Sequence, residues 1–125
     1  MKQQTLTKSE MQVMNILWDL DRGACVNDIL AQYPDPKPAY TTIATFLKIL
    51  TQKGFVEHKK GTGKLLIYSP LITKEKYRRQ VMEEVKDDFF GNSFKSMFCF
   101  FVREEHLTAE EIQELLDQIK EEEKL

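Results

Sequence analysis

Three prolines within five residues, Pro34, Pro36 and Pro38, dictate how the first half of the chain can fold. Proline has no amide hydrogen and turns the residue before it away from helical geometry, so no helix runs through this stretch. Helical patterns lie on both sides of it. Upstream, the extended run Ala24-Cys25-Val26 leads to a two-turn helix begun by Asn27 or Asp28 and carrying Ile29, Leu30 and Tyr33. Downstream, the pattern predicts a helix from about Ala39 to Lys53, closed by Gly54 in the left-handed conformation that glycine adopts without strain. The prolines are therefore a turn between two helices.

An earlier helix is announced by Thr7-x-x-Glu10, a capping box in which hydroxyl and carboxylate satisfy the free amides of the first turn. Met11, Met14, Leu17 and Trp18 follow on one stripe that ends near Asp21-Arg22-Gly23, and Trp18 is read as core. After Gly54 come two β-rich runs, Phe55 to Lys60 and Lys64 to Pro70, joined through Gly61-Thr62-Gly63. Three helices and a hairpin in this order predict a winged helix-turn-helix over residues 1–70. The fold class is mainly α, of the α+β winged-helix kind, with a C-terminal three-helix dimerisation segment over residues 71–125.

That second segment differs in kind. Tyr77, Val81, Val85 and Phe89 recur at every fourth position of a helix over Thr73 to Phe90, and Ser93 to Arg103 is crowded with Phe94, Met97, Phe98, Phe100, Phe101 and Val102. A second capping box, Thr108-x-x-Glu111, opens a last helix with Ile112, Leu115, Leu116 and Ile119 on one stripe. Three short helices cannot bury this much aromatic surface alone, so a second copy of the chain is the expected cover. The contact is expected to involve Tyr77, Val81, Val85, Phe94, Phe98, Phe101, Ile112, Leu115, Leu116 and Ile119.

The net charge of −2 conceals a division. Residues 1–70 carry nine Lys/Arg against six Asp/Glu and residues 71–125 nine against fourteen, which is +3 and −5. Between Lys37 and Lys64 there are six lysines and a single acid, Glu57. A polyanion would dock there.

The third helix is the candidate reader of that polyanion. Ile43, Phe46, Leu47 and Leu50 form its apolar stripe, leaving Tyr40, Thr41, Thr42, Thr45 and Lys48 on a face without acids. Threonine is a poor helix former, so a face chosen for stability alone would carry Glu, Lys or Ala. Its hydroxyl bonds base edges or phosphates, and its methyl touches the thymine methyl group. Double-stranded DNA is the expected partner, with Lys48, Lys53, Lys59, Lys60 and Lys64 as phosphate ligands. The alternative for this fold is a protein-interaction module without specific DNA binding.

Enzyme chemistry has little to work with. His58 and His106 belong to no HExxH or GxSxG motif, and Gly61-Thr62-Gly63-Lys64 lacks both the first glycine and the Ser/Thr of a phosphate loop. No metal or cofactor is expected, and Cys25 and Cys99 are read as packed thiols rather than a disulfide or metal pair. The absence of a long apolar run or an apolar leader leads to the expectation of a soluble, cytoplasmic chain without membrane insertion.

Taken together, Leu6-Thr7-x-x-Glu10-x-x-Val13-Met14-x-x-Leu17-Trp18, Ala39-Tyr40-Thr41-Thr42-Ile43-x-Thr45-x-Leu47, Lys53-Gly54-x-Val56 and Gly63-Lys64-x-x-x-Tyr68-x-Pro70 resemble the penicillinase repressor family over nearly the whole chain. The resemblance implies a homodimeric transcriptional repressor that reads an inverted repeat of TACA/TGTA type. It also implies relief of repression through a membrane-bound sensor metalloprotease, which in antibiotic-responsive members triggers cleavage between Asn and Phe in the fifth helix. Carried onto this chain, that bond is Phe100-Phe101, without the Asn. The Cys-x-Cys pairs of copper-sensing members have no counterpart in Lys120 to Leu125, and Ile49 stands where members often carry a basic residue.

Overall fold

In the computed structural model, which describes residues 5–124, α1 (Lys8–Leu20) starts at the capping box foreseen for it: Thr7 Oγ1 accepts from the Glu10 amide and Glu10 Oε1 accepts from the Thr7 amide. Asp21, in the left-handed region at φ 51°, ends the helix. Val13, Met14 and Leu17 are its fully buried residues, whereas Met11 and Trp18 are only partly covered. Trp18 is thus not at the centre of the core; its indole N–H donates to the Ile72 carbonyl at 2.9 Å and pins the chain beyond the hairpin.

The next helix, α2 (Val26–Leu30), begins two or three residues earlier than Asn27 or Asp28 suggested, because Cys25 is its cap and the Asp28 carboxylate accepts from the Cys25 amide. Its open C-terminal end is closed by Lys37, whose ammonium donates to the carbonyls of Leu30, Ala31 and Tyr33 at 3.4, 3.2 and 2.6 Å. Across the prolines, α3 (Tyr40–Lys53) buries Ile43, Leu47 and Leu50 completely and ends at Gly54 with φ 85°. Phe46, expected in the same stripe, is half-buried.

The strands β1 (Val56–Lys60) and β2 (Leu66–Pro70) pair antiparallel, with Val56 opposite Pro70, His58 opposite Tyr68 and Lys60 opposite Leu66. Ala24 adds one further rung by exchanging two backbone hydrogen bonds with Tyr68. Phe55, between α3 and β1, is fully buried, and its carbonyl accepts from the Leu71 amide. One core joins α1, α2, α3 and the hairpin, and each large aliphatic side chain enclosed there contributes about 1.5–3 kcal/mol.

Compact packing divides the chain between Val81 and Met82, not after Pro70. Tyr77, in α4 (Lys74–Phe90), explains the shift. Its ring meets Phe55 edge-on at 5.6 Å and lies 6.1 Å from Trp18, and its hydroxyl accepts from the buried Leu6 amide at 3.0 Å. Val81 packs against the same core. Tyr77 and Val81, expected at a contact between copies, therefore belong to the core of the first unit. A four-residue spacing shows that a helix has an apolar stripe but not which partner covers it.

The second unit holds the rest of α4, α5 (Phe94–Glu104) and α6 (Ala109–Glu123), with the Thr108 capping box in place. Neither α5 nor α6 has a single buried residue. Aromatic contacts are local: Phe90 and Phe100 lie 5.4 Å apart, Phe94 and Phe98 stack at 6.0 Å. Cys99, read as packed, is exposed, and Cys25 is half-buried.

Replacing Tyr77 by Phe strips the Leu6 amide of its acceptor and should lower stability by about 1–3 kcal/mol. Sedimentation of the same variant should show the wild-type oligomeric state. A shift toward monomer would restore Tyr77 to the contact between copies.

Candidate nucleic-acid interface

The candidate face is assembled around α3. Tyr40, Thr41, Thr42, Thr45 and Lys48 are all exposed, opposite the fully buried Ile43, Leu47 and Leu50. Thr45 donates its hydroxyl hydrogen to the Thr41 carbonyl at 2.9 Å, which leaves the oxygen's lone pairs available as an acceptor. The start of α3 is open: Ala39 supplies no side-chain cap, and no acid lies in the first turn. Unpaired amides there carry the positive end of the helix dipole, which favours an anion.

The hairpin supplies the cations. Lys59, Lys60 and Lys64 are exposed on β1 and the turn, where the Gly61 amide donates to the Leu65 carbonyl at 2.7 Å and Gly63 sits at φ 66°. His58 stands over its strand partner Tyr68 at 5.7 Å. Burial raises the Tyr68 phenol above its usual range, and Tyr40 adds electrostatically to the effect. α3 and β1 pack against each other within the first unit.

Two of the six lysines counted in the sequence are withdrawn from that surface. Lys37 closes α2, as described, and Lys53 is a correction to the expected set of phosphate ligands. Its ammonium lies 2.7 Å from Glu10 Oε1, with side chains 20% and 5% exposed. The pair joins the end of α3 to the start of α1 across 43 residues of sequence. A capping box marked Glu10 for its local partner Thr7, but nothing in the local pattern marked Lys53. Lys48, Lys59, Lys60 and Lys64 are exposed and form no ion pair among the described residues.

Burial pushes the Glu10 carboxyl up, yet the bonds from Lys53 and Thr7 overcome it and hold the group below its ordinary 4.5. A carboxylate lowered on folding stabilises the fold above its unfolded pKa, and this contribution disappears as pH falls through the folded value. Denaturant titrations from pH 7 to pH 3 should show wild-type stability declining below about 4.5 more steeply than that of Glu10→Gln. Parallel acid limbs for the two proteins would contradict the pairing.

Among the described residues no cluster of His, Cys, Asp and Glu has the makings of a metal site, and no helix is long and apolar enough to cross a membrane. Three helices, a two-stranded wing and an exposed third helix define a winged helix-turn-helix protein of mostly helical build. The family model described as Penicillinase repressor matches residues 6–121, and the chain belongs to that family.

The methicillin resistance regulatory protein MecI of Staphylococcus aureus strain N315 is 29% identical over 111 residues, 88% of this chain and 89% of its own. The penicillinase repressor of Bacillus licheniformis is 28% identical over 117 residues, 93% and 90% of the two chains. A solved structure, the solution structure of the Bacillus licheniformis BlaI monomeric form in complex with the blaP half-operator, superposes with a TM-score of 0.50 at 26% identity. It covers 61% of this chain and 92% of that one.

Proposed function

We propose that the chain is a homodimeric transcriptional repressor that binds double-stranded operator DNA at an inverted repeat of TACA/TGTA type. The observation that carries this reading is the acid-free hydroxyl face of α3, held from behind by Ile43, Leu47 and Leu50 and flanked by the lysines of the wing. In this role Tyr40, Thr41, Thr42 and Thr45 contact base edges and nearby phosphates in the major groove. Lys48, Lys59, Lys60 and Lys64 take phosphates and fix the register. The BlaI half-operator complex supports the assignment of DNA as the ligand.

Dimerisation rests on the second unit. Phe94, Phe98, Phe101, Leu115, Leu116 and Ile119 are 40–65% exposed, and Ile112 and Val85 are only half-covered. A second copy laid against these stripes removes them from water and links two reading heads to the two halves of a palindrome. Relief of repression is assigned to cleavage at Phe100-Phe101 in α5, triggered by a membrane-bound sensor metalloprotease. Both rings are exposed, at 44% and 45%, and a cut there removes α6 from the assembly.

Gel-shift titration at about 0.15 M salt should show the protein preferring a duplex with one TACA/TGTA inverted repeat over random DNA by at least about a thousandfold. Equal affinity for both would end the repressor reading. Replacing Lys59, Lys60 and Lys64 together by Ala should flatten the slope of log affinity against log salt by up to about three units. For the assembly, Leu115→Ala and Phe98→Ala should each move the protein toward monomer in sedimentation and weaken binding to the full repeat more than to a half-site. A dimer indifferent to both would place the contact elsewhere.

A further inference from the structure

We propose that the Glu10–Lys53 ion pair is a positioning device for the reading helix, seating α3 at its far end and keeping Lys53 off the DNA; this rests on the reading of α3 as the DNA-reading helix. Three features converge where α3 ends. Lys53 is its last residue, Gly54 closes it at φ 85°, and Phe55 drops into the core with no exposure. The opposite end has no comparable polar tie: Ala39 makes no side-chain cap bond, and the nearest buried residue is Ile43, one turn in. The helix is thus anchored at its C-terminal end and along its buried stripe, with its reading residues towards the other end.

Geometry makes the anchor matter. Fourteen residues at about 1.5 Å each give a lever of roughly 20 Å, so a tilt of about 5° at Lys53 moves the Tyr40 end by about 2 Å. A hydrogen bond to a base edge survives only a few tenths of an ångström of such error. Phosphate contacts from long lysines are far more forgiving, since the ammonium reorients on a flexible stem. Loss of the anchor should therefore harm sequence discrimination before it harms general affinity for DNA.

The carboxylate itself is held in place. Glu10 Oε1 accepts from both the Thr7 amide, at 2.9 Å, and the Lys53 ammonium, at 2.7 Å, so its direction is set by the start of α1 before Lys53 arrives. With 5% of the Glu10 side chain exposed, the pair is shielded from bulk water. A half-buried ammonium left without its carboxylate would swing outward in search of another anion. On DNA that anion is a phosphate.

The test compares binding to a duplex with one TACA/TGTA inverted repeat and to random duplex DNA, across salt, for wild type, Glu10→Gln, Lys53→Met and Lys53→Arg, with circular dichroism reporting folding. Glu10→Gln keeps an acceptor for the Thr7 amide and removes the charge. Its ratio of repeat to random affinity should fall by about tenfold, while its random-DNA salt slope steepens by up to about one unit as Lys53 is freed. Lys53→Met should lose discrimination with its salt slope unchanged, and Lys53→Arg, which retains the pair, should restore the wild-type ratio.

A slope flattened by about one unit in Lys53→Met would show that Lys53 is a phosphate ligand and overturn the proposal. So would a folded Glu10→Gln with wild-type discrimination, or a Lys53→Arg as impaired as Lys53→Met. Should Glu10→Gln fail to fold, the two Lys53 variants decide the question. Wild type without preference for the repeat would instead fail the repressor reading itself.

Discussion

Everything the first unit does depends on one helix being buried on one side only. Ile43, Leu47 and Leu50 are sealed against α1 and α2, and this fixes which residues of α3 face water. A helix enclosed on all sides could read nothing, and one packed loosely would present its hydroxyls at a changing angle. The prolines serve the same end. By preventing continuation from α2, they allow α3 to start in a new direction, and Lys37 closes the carbonyls that the break leaves open.

Local chemistry made much of this legible before any coordinates. Thr7 with Glu10 and Thr108 with Glu111 each placed a helix start, because a capping box is complete within four residues. Gly54 placed the end of α3, and glycines placed the turn of the hairpin. The exposed face of α3 was legible too, since the period of Ile43, Leu47 and Leu50 leaves the threonines on the other side whatever the neighbours are. What escaped were partners distant in sequence. Tyr77 was assigned to the wrong unit because its acceptor role for Leu6 spans 71 residues, and Lys53 was grouped with the wing lysines because Glu10 lies 43 residues away. Stripe and charge identify a residue's needs, and only the fold shows what meets them.

The two units are stabilised in different ways. The first has an enclosed core, crossed by hydrogen bonds such as Trp18 to Ile72 and Leu6 to Tyr77. The second is built of well-capped helices whose apolar faces are open, with its aromatic rings touching mainly along or between neighbouring turns. Capping secures each helix as a helix but does little to hold one against another. α4 contributes to both units, with Tyr77 in one and Phe89 and Phe90 in the other.

The absence of any buried residue in α5 and α6 would, in the proposed dimer, make abundance a variable of the system. If those helices close only against another chain, the form able to span both half-sites is second order in protein. Far below the dissociation constant of the pair, halving the number of molecules cuts that form about fourfold. Dilution at cell growth, or slower synthesis, would then release the operator along a curve steeper than simple proportion, with no inducer bound. Such a regulator would measure its own copy number.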